Sequence, residues 1–542
     1  MKTVLLTTLL CLPLIFCAAG EPGQDLHLTY RSAIDGTDQP YRLYVPAAYD
    51  GKTPLPLVVA LHGTGGNQDT MFDARYDNGR IKRVAEKHGV FVVSPFGRGV
   101  TEYRGIGEND ILCVIAEVQA HYRIDADRIY CTGHSMGGTG SAYLALHHPE
   151  LFAAVAPLAA AYSFPWLAEN ARHVPIWWML GGKDYPPYLV GVHAGADLMT
   201  KRGFPSKMDI LPGKGHGDWV ADAFEPVFEW FLKHKRTAHP RDYTFVADTP
   251  LHGFAYSTAI DVIHEPGTPG SVTVHIGEDA VVTVQTSNVA GFSLLPDAAL
   301  LDPAKPFTLR VDGTQVFKGT AGAGEEVRCV SHTKGWTATL EKQRDRDLKH
   351  WRIHPVAEAA APVAIEGIES PLGNWTADAM RAATHADIAL FNRRYYRGLP
   401  LSQGQVDIVD VIQAVRPFDQ YLMTAQLTGA QVLKIIEDNI REPVTNIIED
   451  RLVQVSGMRY SFDRRKPKDS RIVYSDIDPA KSYKVVLEGQ VPERETLYLA
   501  GMFGTLNYQV TDRPFSTALY AYAAMHPRIA VATEGRVKEI KE

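Results

Sequence analysis

Short runs of consecutive apolar residues alternate with helical patterns between about residues 40 and 235. Five of the runs are candidates for buried strands: PLVVALHG, VFVVSPFG, RIYCTGHS, FAAVAPLA and PIWWMLGGKD. Amphipathic segments such as NDILCVIAEVQAHY lie between them. Strands that are apolar on both faces and alternate with helices predict a mostly parallel sheet covered by helices. In such α/β sheets the chemistry lies at the C-terminal ends of the strands.

The pattern changes after about residue 240. SVTVHIGEDAVVTVQTSNVAGFSLLP and FTLRVDGTQVFKG alternate apolar and polar positions, and VDGTQVF reads as a hairpin. These features predict a small antiparallel β domain. A linker, HPVAEAAAPVA, then leads to a mixed α/β region that runs to the end. We therefore predict an α/β domain at 21–238, a small β domain with linker at 239–360 and a mixed α/β domain at 361–542.

The first twenty residues, MKTVLLTTLLCLPLIFCAAG, combine one lysine, an apolar run and small residues. This pattern is typical of a cleaved secretory signal peptide, so we expect a secreted or periplasmic protein. A lipoprotein attached through Cys17 is a weaker alternative, because Phe16 is bulky where such sites require a small residue. No later apolar run is long enough to cross a bilayer, so no stable membrane insertion is expected after cleavage.

Composition, charge and cysteine content limit the classes of partner and cofactor that this chain is expected to bind. A chain of 542 residues is too long for one ordinary core, and its net charge of −7 leaves no basic footprint for nucleic acid. The mature chain would retain Cys113, Cys131 and Cys329, with no CxxC pair, so neither zinc nor another cofactor is indicated. Cys113 and Cys131 could form a disulfide or could be two small buried hydrophobic residues. Oligomeric state cannot be read from the sequence.

The segment DRIYCTGHSMGGTG places Ser135 between Gly133 and Gly137, after an apolar strand and before a helix. A sharp strand-to-helix turn exposes a nucleophile and crowds the backbone two residues before and after it, which explains the glycines. The context predicts a nucleophile elbow. The amide N–H of Met136 is one oxyanion-hole candidate, and the loop ALHGTGGN offers Thr64 as the other, with Gly63 as fallback.

A serine nucleophile needs a base and an orienting carboxylate, in the chain order Ser, acid, His for this kind of fold. Asp184 ends the strand WWMLGGKD, and His216 lies in the Gly-rich loop of ILPGKGHGDW. Asp197 and Asp218 compete with Asp184 for the role of the acid. We predict Ser135, Asp184 and His216 as a catalytic triad that works without metal.

Residues 26–235 resemble the α/β-hydrolase esterases of the polyhydroxybutyrate-depolymerase and feruloyl-esterase type. YRLYVPAAYDGKTPLPLVVALHGTGGN, IDADRIYCTGHSMGG, LGGKD and GKGHGDW carry the resemblance. It implies a serine carboxylesterase that forms an acyl-enzyme, acting on an ester that could be polymeric or aromatic. A serine peptidase of the prolyl-oligopeptidase-like type is the alternative. Trp166, Trp177, Trp178 and Trp219 could line an aromatic pocket, although at least one of the two strand tryptophans is expected in the core.

Residues 366–530 resemble the C-terminal domain of 5′-nucleotidases, through ESPLGNWTADAMR, HADIALFNRRYYRG, VRPFDQYLMTAQLTGAQVLKIIED and VSGMRYSFD. The resemblance implies possible ligand-binding roles for Asn392, Arg397, Phe418 and Tyr498. RRYY replaces the family's glycines between Asn392 and Arg397, and the metal motifs of the partner nucleotidase domain are missing. Side chains in that loop would obstruct a nucleoside, so the domain could serve packing or a different ligand. A nucleoside- or glycan-binding protein with an incidental hydrolase domain is the second hypothesis, and the intact catalytic triad argues against it.

Overall fold

A computed structural model describes residues 23–99, 101, 103–162, 164–184, 186–265, 268–344, 355–393, 400–407, 410–411, 421–441, 452–488 and 508–541. The predicted signal peptide at residues 1–20 lies outside the described residues.

The first domain is built on a single sheet. Its strands are β1 (Gln24–Arg31), β2 (Asp38–Val45), β3 (Leu55–Leu61), β4 (Phe91–Pro95), β5 (Ile124–His134), β6 (Ala154–Leu158), β7 (Ile176–Gly181) and β8 (Ser206–Leu211). They lie in the order β1-β2-β4-β3-β5-β6-β7-β8. Pairing is antiparallel from β1 to β4 and parallel from β4 to β8. The five apolar runs in the sequence form β3 to β7, so the predicted α/β fold with a mostly parallel sheet is confirmed.

Helices cover both faces of this sheet. They are α1 (Arg80–His88), α2 (Ile106–His121), α3 (Met136–His147), α4 (Pro186–Lys201) and α5 (Val220–Phe231), with a 3₁₀ segment at Pro165–His173. Successive residues on a strand point to opposite faces, so Trp178 packs on the side of α2, α3 and α4, whereas Trp177 packs on the side of α1 and α5. Two separate apolar cores, one on each face of the sheet, pack the strands against the helices. This packing fixes the positions of the strand ends that carry the site.

The second domain is a β sandwich. Its strands are β9 (Asp242–Ala247), β10 (Phe254–Ala255), β11 (Thr258–Ile263), β12 (Gly270–Ile276), β13 (Val281–Ser287), β14 (Val289–Leu294), β15 (Phe307–Val311), β16 (Thr314–Gly319), β17 (Glu325–His332) and β18 (Gly335–Lys342). Two sheets, β10-β11-β14-β17-β18 and β16-β15-β13-β12-β9, enclose a common core.

The sandwich pairing is antiparallel, as predicted, with one difference. β13 and β15 run parallel, because the intervening β14 crosses to the other sheet and the chain returns in the same direction. The predicted VDGTQVF hairpin is present between β15 and β16, where Val311 pairs with Thr314. Its turn residues Asp312 and Gly313 have φ values of 47° and 83°, the left-handed conformations that a two-residue hairpin turn requires.

The third domain mixes helices and short strands. The helices are α6 (Pro371–Thr384), α7 (Gly429–Asn439) and α8 (Phe515–Met525). The strands are β19 (Pro355–Ala359), β20 (Ile388–Asn392), β21 (Gly404–Asp407), β22 (Tyr421–Thr428), β23 (Val453–Ser456), β24 (Tyr460–Phe462), β25 (Ile472–Ser475), β26 (Ser482–Glu488), β27 (Tyr508–Pro514), β28 (Arg528–Ile529) and β29 (Val537–Glu539). The central sheet has the order β23-β20-β26-β22-β27.

Specific contacts join the domains. Asn170 donates to the carbonyl oxygens of Leu146 and Val246 and accepts from the Val246 amide, which ties β9 of the sandwich to the hydrolase domain. The ring of Trp166 meets that of Tyr421 edge to face at 5.1 Å, which brings the third domain against the 3₁₀ segment after β6. The Asn170 side chain therefore joins the hydrolase domain to the sandwich through bonds to backbone groups, whereas an aromatic pair is a contact of the third domain with the hydrolase domain.

Two further sequence predictions concern cysteine and membrane. Within the described residues, Cys113, Cys131 and Cys329 form no disulfide; Cys131 and Cys329 are buried, and Cys113 is half-buried. The alternative of a Cys113–Cys131 disulfide is therefore wrong for this structure. Across the described part of the chain, no helix combines the length and apolar character that spanning a bilayer demands.

Candidate active site

Ser135 lies at the junction between β5, which ends at His134, and α3, which begins at Met136. Its backbone angles are φ 58° and ψ −114°, a conformation that residues with a Cβ atom rarely adopt. Strain of this kind costs about 1–3 kcal/mol and persists only where the surrounding structure imposes it. The turn holds the serine out of both the strand and the helix.

The surrounding glycines are required by close backbone approach. A Cβ atom on Gly133 would lie 2.5 Å from the Gly137 carbonyl oxygen, and one on Gly137 would lie 2.1 Å from the Leu61 carbonyl oxygen. A Cβ atom on Gly138 would lie 2.6 Å from the Leu158 carbonyl oxygen. The G-x-S-x-G spacing seen in the sequence thus has a steric cause at each glycine.

The structure brings Ser135, His216 and Asp184 into one hydrogen-bonded line. His216 Nε2 lies 2.8 Å from Ser135 Oγ, and His216 Nδ1 lies 2.7 Å from Asp184 Oδ1. A carboxylate only accepts, so Nδ1 carries the proton and Nε2 is free to accept from the serine hydroxyl. The Asp184 side chain is 0% exposed and that of His216 is 28% exposed, so the acid is sealed while the base remains open to a substrate.

The competing carboxylates lie elsewhere. Asp218 Oδ1 accepts from the Gly215 amide at 2.9 Å and so shapes the loop that carries His216. Trp219 Nε1 donates to the Gly215 carbonyl oxygen at 2.9 Å and reinforces the same loop. Asp197 is exposed on α4. Asp184 is therefore the only one of these three aspartates that bonds to His216 among the described residues.

His134 helps to position His216, a contact that the sequence alone does not show. Its Nε2 donates to the His216 carbonyl oxygen at 2.7 Å, and its Nδ1 accepts from the Tyr76 hydroxyl at 2.7 Å. Burial lowers the pKa of His134 to about 4, which keeps the ring neutral and preserves one donor and one acceptor nitrogen. Tyr76 and His134 together hold the backbone of the base, and nothing in the sequence around Tyr76 signals this contact.

The oxyanion-hole candidates flank the serine. Met136 begins α3, where backbone N–H groups have no helical partner. Gly63 is close to the elbow, since a Cβ atom there would lie 3.6 Å from Ser135 Cβ, and Thr64 follows it in the loop after β3. Tyr103 fixes this loop by donating to the His62 carbonyl oxygen at 2.9 Å. Among the described residues, no backbone carbonyl accepts from the amide of Thr64 or Met136.

The four tryptophans do not form an open aromatic wall. Trp166, Trp177, Trp178 and Trp219 are all buried, and Trp178 is fully enclosed. Trp177 Nε1 donates to Asp209 on the neighbouring strand β8. The expectation that at least one strand tryptophan belongs to the core agrees with this burial, and none of the four presents a free ring face to an aromatic substrate.

Of the ligand-binding candidates in the third domain, only Asn392 is among the described residues; Arg397, Phe418 and Tyr498 lie outside them. Asn392 is fully buried at the end of β20, and its Nδ2 donates to Asn439 Oδ1 at 3.4 Å. Arg393, the first residue of RRYY, is also buried and donates to the Gly367 carbonyl oxygen at 2.5 Å. Asn392 thus bonds to the last residue of α7, and Arg393 to the loop before α6, both within the third domain.

Comparisons with known families agree with both resemblances. Residues 114–192 match the family described as "Putative esterase", and residues 355–489 match the family "5'-nucleotidase, C-terminal domain". The esterase match includes the elbow and ends within α4. The hydrolase and third-domain resemblances inferred from the sequence are therefore confirmed.

Individual relatives cover the hydrolase domain only in part. Feruloyl esterase B of Neurospora crassa is 29% identical over 134 residues, which is 22% of this chain and 43% of that protein. Poly(3-hydroxyalkanoate) depolymerase C of Paucimonas lemoignei is 30% identical over 172 residues, 29% of this chain and 40% of that protein. A solved ferulic acid esterase is 16% identical, with coverage of 40% of this chain and 99% of that chain and a TM-score of 0.35. The chain thus spans less than half the length of these two curated relatives.

Proposed function

We propose that this chain is a secreted or periplasmic serine carboxylesterase that works through an acyl-enzyme on Ser135. The observation that supports the proposal best is the hydrogen-bonded line from Ser135 Oγ through His216 to Asp184, with distances of 2.8 and 2.7 Å. The esterase match of residues 114–192 supports the same reaction class. The export assignment rests on the predicted leader at residues 1–20.

The first half-reaction forms the acyl-enzyme. Ser135 Oγ attacks the ester carbonyl carbon while its proton moves to His216 Nε2, and Asp184 stabilises the resulting imidazolium. The negative charge on the carbonyl oxygen is met by the amides of Met136 and Thr64. When the tetrahedral intermediate collapses, the alcohol leaves with the proton held on His216 Nε2.

The second half-reaction restores the enzyme. Water attacks the acyl carbonyl carbon and gives its proton to His216 Nε2, and the same amides hold the second oxyanion. The carboxylic acid then departs as the Ser135 hydroxyl regains its proton. Every proton in this cycle is carried by His216, so we propose no cofactor and no metal for the chemical step.

The direct test compares Ser135→Ala with Ser141→Ala, a buried serine on the same helix whose hydroxyl donates to the Gly138 carbonyl oxygen. A fluorophosphonate probe should label the wild type and Ser141→Ala but not Ser135→Ala. Hydrolysis of p-nitrophenyl acetate should fall by about four powers of ten or more in Ser135→Ala. Retention of a tenth of the wild-type rate in Ser135→Ala would refute the assignment.

The substrate is proposed to be an aromatic or polymeric ester, since feruloyl esterase B and a poly(3-hydroxyalkanoate) depolymerase are among the relatives. A panel of p-nitrophenyl esters, feruloyl esters, acetylated xylan and polyhydroxybutyrate would rank the acyl and alcohol groups. Dipeptide p-nitroanilides belong in the same panel, because efficient turnover of an amide would favour the peptidase alternative.

A further inference from the structure

A second cluster of titratable side chains lies between the hydrolase domain and the sandwich. His147 comes from the end of α3, and Asp248 and His252 come from the segment after β9, four residues apart. His147 Nε2 lies 3.1 Å from Asp248 Oδ2, and His252 Nδ1 lies 3.0 Å from Asp248 Oδ1. One ligand atom from each of the three side chains lies within 4.8 Å of the other two. All three residues are buried.

The hydrogen bonds behind His147 fix which of its nitrogens carries a proton. Nδ1 lies 3.0 Å from the Tyr143 carbonyl oxygen, which can only accept, so Nδ1 is the donor. A neutral His147 therefore directs the lone pair of Nε2 at a carboxylate oxygen of Asp248. Two acceptors face each other at 3.1 Å, and a cation between them would turn this repulsion into two bonds.

His252 has the same arrangement of partners. Its Nε2 lies 3.2 Å from Glu108 Oε2, and this fully buried carboxylate also accepts from Tyr143 and His148. If Nε2 donates to Glu108, Nδ1 presents its lone pair to Asp248. A histidine that donates one nitrogen to a carboxylate or carbonyl and offers the other is the usual arrangement around a protein-bound metal.

Protonation of His252 alone would let that ring donate to both Asp248 and Glu108, but Nε2 of a neutral His147 would still direct its lone pair at Asp248. Without a metal ion, only protonation of both histidines removes the repulsion completely. The ring centroids of His147 and His252 are only 4.1 Å apart, so two imidazolium ions would face each other in a buried place. A divalent metal ion instead binds two neutral imidazoles and one carboxylate without that repulsion. Glu108 then acts as the outer carboxylate that orients His252.

We propose that His147, Asp248 and His252 bind a divalent transition-metal ion, zinc by the chemistry of the two imidazoles and one carboxylate, which joins the sandwich to the hydrolase domain. The site is structural, because α3 separates His147 from Ser135 by roughly 17 Å of helix rise. It is independent of the proposed esterase chemistry, which uses no metal.

The full chain, exchanged into zinc and then dialysed into metal-free buffer, should retain about one zinc ion per chain by elemental analysis. His147→Gln should lose most of it. His173→Gln is the matched control, because His173 also links the hydrolase domain to β9, by donating to the Asp242 carbonyl oxygen, but has no carboxylate partner in the cluster. The control should keep its zinc.

A second measurement does not depend on any variant. Treating the wild type with a strong chelator should lower its melting temperature by about 5 °C or more, and added zinc should restore it. Cobalt in place of zinc should give visible absorption from nitrogen and oxygen coordination. Wild-type protein that retains only background metal and melts at the same temperature with and without chelator would overturn the proposal, and the cluster would then be a proton-held network.

Discussion

His134 shows how one residue can couple the site to pH. Its pKa falls from the usual 6.5 to about 4 because the ring is buried, an effect that the hydrogen bond to the His216 carbonyl oxygen and the charge of Asp184 oppose only in part. The unfolded chain therefore binds more protons than the folded one between these two values. Folding stability from His134 is fully present above pH 6.5 and is lost as the pH falls toward 4.

We expect the titration of His134 to lower the free energy of unfolding by roughly 3 kcal/mol as the pH falls from 6.5 to 4. His134→Gln should keep the two hydrogen bonds, since an amide can donate to the His216 carbonyl oxygen and accept from Tyr76, but it cannot take up a proton. Urea unfolding at several pH values should give a shallower loss of stability for His134→Gln than for the wild type between pH 6.5 and 4. Equal slopes would mean that His134 does not titrate as its burial implies.

Ser135 itself carries strain that two inactive variants can reveal. Ser135→Gly removes the Cβ atom that makes φ 58° costly, whereas Ser135→Ala retains it. We expect Ser135→Gly to be more stable than Ser135→Ala by about 1 kcal/mol, after the larger unfolded-state entropy of glycine is counted. Denaturant midpoints of the two proteins measure the difference. A glycine variant less stable than the alanine variant would argue against strain at the elbow.

Among single residues, Ser135, Asp184 and His216 could be predicted from the sequence because each follows a recognisable strand and their order is fixed by the fold. Tyr76 and the cluster of His147, Asp248 and His252 could not. Their partners are distant in the chain, as with the 101 residues between His147 and Asp248, and no local pattern marks them.

At the level of elements, the junction of β5 and α3 depends on close packing against β3. Gly137→Ala would place a Cβ atom 2.1 Å from the Leu61 carbonyl oxygen, and a backbone atom cannot move aside as a side chain can. We expect kcat/KM on p-nitrophenyl acetate to fall by about a hundredfold or more, because an error of 1 Å at a reacting atom has that effect.

Gly215→Ala is the control for this substitution. It lies in the loop that carries His216, and the nearest atom to its new Cβ would be Asp218 Oδ1 at 3.7 Å, an ordinary contact. Its activity should stay within a few-fold of the wild type. If both alanine variants were equally active, steric crowding would not explain the glycine at position 137.

The strands that the sequence pattern did not predict lie at or next to the two ends of the sheet. β3 to β7 are buried on both faces and read as continuous apolar runs, so their prediction was direct. β2 is mostly buried, but polar residues such as Arg42 interrupt its apolar run. β1 and β8 have partly exposed patterns, as in SKMDIL for β8, and they lie at the two ends of the sheet. Such patterns carry less hydrophobic signal because one face of each strand meets solvent.

On the scale of the whole molecule, the three domains are unequally joined. The sandwich supplies Asp248 and His252 to a buried cluster with Glu108 and His147, in addition to the hydrogen bonds of Asn170 with Val246. The third domain contacts the hydrolase domain through the ring of Tyr421 on Trp166, and the sandwich through an exposed ion pair of Arg513 with Glu265. Removing the partner of a buried carboxylate costs far more than separating one aromatic pair.

Two truncations should therefore behave differently. A chain ending after residue 344 retains the hydrolase domain, the sandwich and the whole triad, and should be soluble with nearly the wild-type kcat on p-nitrophenyl acetate. A chain ending after residue 238 leaves Glu108 without His252 and should be insoluble or unfolded. Soluble yield and turnover of both proteins give the comparison. A well-folded, active product of the shorter chain would show that the sandwich is dispensable.

The third domain is expected to act on affinity and not on the chemical step, since a tethered module raises the local concentration of a large substrate. The longer truncation should therefore lose more activity on a polymer than on the small ester. Calorimetric titration of the full chain with adenosine tests the alternative hypothesis that this domain binds a nucleoside. Micromolar binding would show that a nucleoside pocket exists despite the burial of Asn392 and Arg393.

The cluster between the hydrolase domain and the sandwich also determines when the hydrolase domain can finish folding during synthesis. His148 of the hydrolase domain also bonds to Glu108, but His252 follows Glu108 by 144 residues, so the contact of Glu108 with His252 forms only after the start of the sandwich has been synthesised. The hydrolase domain thus matures late, together with the start of the sandwich, and a chain stalled between the two would be left for quality-control proteases.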